Sequence, residues 1–139
     1  MSIKHGIILA AGLGKRMQPL TLKKPKPLLE IRGKTLLERA IELLINHGVE
    51  ELSINIHHLG DQIEKYISKL KFKANIKISN EKQQLLDTGG GVKKGTQRFK
   101  DNPFFVINPD TLWTEKYSEE IQTLEKTYFK EKTPCLLLV

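Results

Sequence analysis

An α/β fold with a mostly parallel sheet is what this sequence predicts, and three observations carry the expectation. Strand-like and helix-like patterns alternate along the 139 residues with short connections, as successive βαβ units require. The chain opens on a short apolar run, Ile7-Ile8-Leu9-Ala10-Ala11, of the kind seen in parallel strands buried on both faces. That run breaks at Gly12-Leu13-Gly14, a turn of the type found at the carboxyl end of such a strand.

The first strand is expected over Ile3–Ala10. A helix follows from Thr35 to His47, because Leu36, Leu37, Ala40, Leu43 and Leu44 recur at three- and four-residue spacing on one face. Thr35 with Glu38 three residues on forms a capping-box pattern, and Gly48 suits the residue just past the last turn. The second strand, Glu51–His58, reads as alternating, with Leu52, Ile54 and Ile56 as its apolar positions. A second helix covers Gly60–Leu70 with Asp61 as its cap, and a third strand covers Asn75–Ser79. A loop over Asn80–Asp87 then leads through Thr88-Gly89-Gly90-Gly91 into a helix ending near Phe99. The fourth strand, Phe104–Asn108, runs on to Asp110. A last helix spans Tyr117–Lys130, and Thr133–Val139 reads as one more strand. These elements predict a Rossmann-like three-layer α/β/α sandwich with its ligand cleft at the carboxyl ends of the strands. No internal repeat, low-complexity tract or flexible linker divides the chain, so one domain is expected at this length.

Composition narrows the classes. With 39% hydrophobic and 28% charged residues, the chain has the make-up of an ordinary globular protein. No segment approaches the ~18 consecutive apolar residues of a membrane span. The opening apolar run is shorter than the ~7–15 residues of a signal-peptide core, and the glycine turn follows it at once. Cys135 is the only cysteine, which rules out an internal disulfide, speaks against a cysteine-based zinc site and fits a reducing cytoplasm. The formal net charge of +7 describes either a solvated lysine-rich surface or a field that concentrates phosphorylated substrates. An aromatic content of 6%, without basic and aromatic residues interleaved, argues against nucleic acid as the partner.

The richest stretch is Gly6–Glu30. After Gly12 and Gly14 it places Lys15, Arg16, Lys23, Lys24 and Lys26 in one loop. Glycine has no Cβ, so backbone N–H groups in such a turn can approach an anion closely. The cations that follow suit a nucleoside triphosphate far better than a neutral ligand. Pro25 and Pro27 flank Lys26 and stiffen its presentation. Asp110 lies just past a strand's carboxyl end, where a carboxylate oxygen suits Mg²⁺ bridging phosphates.

The run AAGLGKRMQPLT followed by KPKPLLEI resembles the signature of the sugar-1-phosphate nucleotidyltransferases. It is most similar to the N-acetylmuramate-1-phosphate uridylyltransferases and related hexose-phosphate enzymes. Further matches occur at Leu86-Asp87-Thr88-Gly89-Gly90-Gly91 and at Val106-Ile107-Asn108-Pro109-Asp110. The resemblance implies a fold of the nucleotide-diphospho-sugar transferase type. It also implies a Mg²⁺-dependent reaction that joins a nucleoside triphosphate, UTP for preference, to a sugar 1-phosphate with release of pyrophosphate.

It further implies roles for particular residues. Arg16 would contact the β- and γ-phosphates, and Lys26 the α-phosphate or the sugar phosphate. Ala11, Gly12 and Gly14 would line the nucleotide, Glu81, Thr88 and Gly89 would read the base, and Asn108 stands where the family has its N-G-D form. Asp110 would hold the metal, although this chain has Pro109 where the family usually has glycine. Thr88 can equally cap the following helix, and close approach of a ligand would explain three successive glycines there. His57 and His58 are expected to be polar loop residues, and Trp113 with Tyr117 either stack on the sugar or pack under the last helix. Because the chain stops inside a strand pattern, residues 1–139 are expected to be the nucleotide-binding portion of a longer enzyme, with a second metal ligand beyond Val139. The alternatives are a nucleotide-binding module without turnover, or a transferase using dTTP, GTP, ATP or CTP with another phosphorylated acceptor. Oligomeric state is left open.

Overall fold

A computed structural model describes residues 1–139. In chain order the elements are β1 (His5–Leu9), a short hairpin of β2 (Glu30–Ile31) and β3 (Lys34–Thr35), α1 (Leu36–His47), β4 (Glu51–Ile56), α2 (Gly60–Lys69), β5 (Asn75–Asn80), α3 (Thr88–Thr96), β6 (Phe104–Ile107) and α4 (Ser118–Glu131). The four longer strands form one parallel sheet in the order β5-β4-β1-β6. The register sets Ile8 level with Ile54 and Ile107, and Ile7 level with Ser53 and Val106. Successive side chains on a strand point to opposite faces, so these two rows belong to two different layers.

One face carries the main core. Ile8, Leu52, Ile54, Phe105 and Ile107 pack there with Leu37, Ile41 and Leu44 of α1, Ile63 of α2 and Ile121 of α4. The other face is covered by α3, whose Gly95 lies directly on Ile7, so closely that a Cβ there would overlap the isoleucine methyl. Together the helices and the sheet make the three-layer sandwich. No helix is long and apolar enough to cross a membrane.

The helix ends show where local signals held. Thr35 caps α1, its hydroxyl accepting from the Glu38 N–H at 3.0 Å, and Gly48 ends it at φ 112°. The Glu38 carboxylate does not complete the capping box. It accepts instead from the Tyr66 hydroxyl at 2.8 Å, while the Thr35 hydroxyl donates to the Tyr66 oxygen at 3.2 Å. Burial, and after it the bond and charge of Glu38, raise the Tyr66 phenol above its ordinary pKa; only the Thr35 bond opposes them. On the α3 side of the sheet, Arg98 donates to Glu51 at 2.7 Å and to the Leu52 carbonyl at 2.6 Å. Burial lowers its pKa and Glu51 partly restores it.

Four expectations need correction. The second strand does not alternate: Leu52 through Ile56 are all buried, because a central parallel strand is covered on both faces. Asp61 does not cap α2, which starts from Leu59 in a left-handed conformation (φ 51°) with no side-chain cap. Thr88 does not cap α3: Asp87 does, accepting from the Gly90 N–H at 2.6 Å. Thr133–Val139 forms no strand. Pro134 has no N–H to give to a ladder, and the Thr133 hydroxyl donates locally to the Cys135 carbonyl. Residues 134–138 instead form one wall of an apolar cavity of about 780 Å³ beside β6.

Candidate functional site

At the carboxyl ends of β1 and β6 lies a cavity of about 550 Å³. Five separated stretches line it: the end of β1 with the turn Gly12 to Met17, Lys26 with Pro27, Leu36, Leu85 with Thr88, and Asn108 to Asp110. Parallel strands deliver their following loops to the same end of the sheet, which is why residues almost a hundred positions apart in sequence meet here.

The first stretch is the glycine turn. Gly14 adopts φ 64°, the left-handed region that favours glycine. A Cβ there would also lie 2.9 Å from the Thr21 Cγ2. Thr21 is buried and clips the turn from beneath, its hydroxyl donating to the Gly14 carbonyl at 2.6 Å. His58 in turn donates from Nε2 to the Thr21 carbonyl at 2.8 Å. Gly12 differs. Its φ is not in the left-handed region, and nothing lies within 4 Å of where its Cβ would be. The fold does not demand glycine at position 12; open space in front of its backbone is what the missing side chain provides. Ala11 is buried behind the turn and does not line the cavity.

Three cations line the cavity, Lys15, Arg16 and Lys26, of which the last two carry the expected contacts. Arg16 is exposed on the short helical turn Lys15–Met17 that follows Gly14. Lys26 stands between Pro25 and Pro27, both buried, and its Nζ donates to Asp110 Oδ2 at 3.2 Å. The side chains of this pair remain 27% and 46% exposed. Ion pairs so exposed contribute on the order of 0.2–1 kcal/mol, little enough for an incoming phosphate or cation to separate them.

Asp110 follows Asn108 and Pro109 on the turn after β6. Pro109 is buried, and the Asn108 carbonyl accepts from Trp113 Nε1 at 2.7 Å, which anchors this turn to the start of the next segment. Trp113 packs edge-on against Tyr117, ring centres 4.9 Å apart, and against the main core. An exposed carboxylate on the cavity rim fits Mg²⁺, a hard cation that usually takes one or two protein carboxylates and completes its shell with phosphate oxygens and water.

The segment after β5 is arranged differently from expectation. Glu81 is 1% exposed and does not reach the cavity. Its carboxylate accepts from Asn55 Nδ2 at 3.1 Å and from the Leu86 N–H at 3.2 Å, and its carbonyl accepts from His57 Nδ1 at 2.8 Å. Thr88 and Gly89 are exposed at the start of α3, with Thr88 on the cavity. Gly91 is glycine for an internal reason, since a Cβ there would lie 2.7 Å from Asn55 Nδ2. Ligand approach is therefore not needed to explain the whole glycine run.

Of the residues singled out in the sequence, Gly12, Gly14, Arg16, Lys26, Thr88, Asn108 and Asp110 come together, while Ala11, Glu81 and Gly89 do not line the cavity. Two supporting residues were missed. Thr21 was visible as the last residue of the P-L-T run, and Asn55 as a polar residue inside an apolar strand. His57 and His58 are loop residues as expected, and folding adds to each a carbonyl to which its ring donates.

The profile of the family described as nucleotidyl transferase matches residues 5–136. The chain is 35% identical to the N-acetylmuramate alpha-1-phosphate uridylyltransferase of Caulobacter vibrioides, over 97% of this chain and 57% of that protein. It is 34% identical to the mannose-1-phosphate guanyltransferase of Gibberella zeae, over 92% of this chain and 36% of that one. Among solved structures, UDP-glucose pyrophosphorylase complexed with UDP-glucose superimposes with a TM-score of 0.79 at 25% identity, covering 94% of this chain and 54% of that one. The chain thus spans about half the length of proteins it matches. On a profile match that runs from the first strand past the last helix, the chain belongs to the nucleotidyl transferase family.

Proposed function

We propose that residues 1–139 form the nucleotide-binding portion of a transferase that joins a nucleoside triphosphate, UTP for preference, to a sugar 1-phosphate. The observation that carries this reading is the single cavity shared by Gly12, Lys15, Arg16, Lys26 and Asp110: an open backbone, three cations and one carboxylate, with no fold requirement for glycine at position 12. Two relatives support the chemistry by their names, one acting on N-acetylmuramate 1-phosphate with a uridylyl donor and one on mannose 1-phosphate with a guanylyl donor.

In the reaction, a phosphate oxygen of the acceptor attacks the α-phosphorus, the bond from that phosphorus to the β-bridging oxygen breaks, and pyrophosphate leaves. The protein must align two mutually repelling anions and neutralise the charge that builds on the leaving group. N–H groups of the glycine turn and the Arg16 guanidinium serve the β- and γ-phosphates. Lys26, released from Asp110, serves the α-phosphate. Asp110 would hold Mg²⁺, which when bound supplies further charge neutralisation. Thr88 faces the base, with Gly89 next to it at the start of α3. A cytoplasmic setting suits such substrates.

Calorimetry with UTP, GTP, dTTP, ATP and CTP in Mg²⁺, run beside a pyrophosphate-release assay against sugar 1-phosphates, tests the reading. UTP binding with release supports the transferase. Binding without release makes the chain a nucleotide-binding module, and no binding of any triphosphate sinks both. In a turning-over enzyme, Arg16→Ala should lower kcat by roughly 10²–10³-fold, as loss of a donor to developing charge does. Unchanged turnover would remove Arg16 from the chemistry.

A further inference from the structure

A polar side chain inside a parallel sheet must find its hydrogen bonds within the protein, and those of Asn55 are traceable. Asn55 is 4% exposed on β4, level with Leu9 of β1. Its Oδ1 accepts from the Ala10 N–H at 2.7 Å, at the point where the chain leaves β1 for the glycine turn. Its Nδ2 donates to Glu81 Oε1 at 3.1 Å. The other oxygen of Glu81 accepts from the Leu86 N–H at 3.2 Å, at the root of the segment leading to Thr88. Gly91 closes over the pair, with no room for a Cβ beside Asn55 Nδ2 or Glu81 Oε1. A buried carboxylate is costly unless donors satisfy it. Here one donor comes from the side chain that holds the glycine turn, and the other from the opposite wall of the cavity.

We propose that Asn55 and Glu81 are positioning residues whose amide–carboxylate link fixes the glycine turn relative to the Leu86–Thr88 segment, so that the two walls of the nucleotide cleft become ordered together. This rests on the reading of the cleft as a nucleotide site. Neither side chain enters the cavity; both act through the backbone at Ala10 and Leu86. The arrangement also assigns Glu81 a task other than reading the base.

The link can be reversed, which makes it testable. In the paired exchange Asn55→Asp with Glu81→Gln, the new carboxylate accepts from Ala10 and from the new side-chain amide, whose oxygen accepts from Leu86. All three bonds and the single negative charge are kept. Asn55→Asp alone sets two carboxylates against each other, and Glu81→Gln alone leaves one donor facing a donor. Calorimetry with Mg²⁺·UTP should show affinity about tenfold weaker in each single variant and restored to within about threefold in the double variant.

Amide exchange at Ala10 and Leu86, followed by NMR without nucleotide, is the second readout. Glu81→Gln should speed exchange at both amides, and the paired exchange should slow both again. A double variant as weak as its singles, or exchange altered only at Leu86 in Glu81→Gln, would overturn the proposal. If Asn55→Asp does not fold, Glu81→Gln and the double variant decide. If the wild-type chain binds no triphosphate, the nucleotide reading falls, while the exchange experiment still judges the link.

Discussion

Two glycine-bearing segments border the cleft, Gly12–Gly14 and Gly89–Gly91, and they use the same residue for different reasons. In each, one glycine is demanded by the fold and another is not. Gly14 is held by a left-handed φ and by contact with Thr21, and Gly91 by the buried Asn55–Glu81 pair. Gly12 has nothing near its missing Cβ, and Gly89 has only an ordinary contact with Asp87. The fold-demanded glycines lock each wall to the layer beneath. The free ones leave bare backbone at or near the cavity rim, where a ligand can approach. Substituting each in turn should separate these two uses.

Gly91→Ala should have the largest effect. The new methyl would lie 2.7 Å from Asn55 Nδ2 and 2.9 Å from Glu81 Oε1, in a place where neither partner is a free chain end. Overpacking of this kind costs about 1–3 kcal/mol, readable as a lower midpoint in chemical denaturation. A stability equal to wild type would show that the buried pair can shift, and would weaken its assignment as a rigid link. Gly14→Ala comes next, at about 1–2 kcal/mol for a left-handed non-glycine residue. Adding Thr21→Ser removes the methyl that the new Cβ would meet and keeps the hydroxyl. The double variant should recover only part of the loss, because the strained φ remains. Full recovery would mean that contact, not backbone conformation, makes Gly14 necessary.

The contrast also explains what could be read in advance. Apolar patterning gave the helices and strands, because Leu37, Ala40 and Leu44 on α1 repeat on the one face that meets the core, while the run ending at Ala11 is buried on both faces of the sheet. The ends of elements were less legible. Asp61 and Asp87 both stand at the start of a helix pattern, but Asp61 lies inside the first turn of α2 and only Asp87 has its carboxylate over a free N–H. The strand expected over Thr133–Val139 rested on apolar content alone, which does not supply a neighbouring edge to pair with. Cleft residues carried on tight local motifs, such as Gly14, Arg16 and Lys26, could be located from spacing. Glu81 could not, since a glutamate in a loop gives no sign that a strand 26 residues earlier will offer it an amide.

Gly12→Ala should leave stability within about 0.5 kcal/mol of wild type, because its Cβ would enter open space. Nucleotide binding should respond instead, with affinity for Mg²⁺·UTP about tenfold lower as the methyl intrudes between backbone and phosphate. Loss of stability without loss of affinity would reverse the assignment of this glycine.

Gly89→Ala is the smallest effect and the sharpest separation. The position is helical and exposed, and a Cβ there would come no closer than 3.7 Å to Asp87 Oδ1. Alanine loses less chain freedom than glycine on entering a helix, so the substitution should stabilise the protein by about 0.5 kcal/mol. If the base is read at the start of α3, the same methyl should weaken UTP and leave inorganic pyrophosphate, which needs only the glycine turn and Arg16, unaffected. Opposite signs in stability and UTP affinity would place a ligand against this helix end. A gain in stability with UTP unchanged would leave Gly89 without a role in recognition and move base reading elsewhere on the Leu85–Thr88 wall.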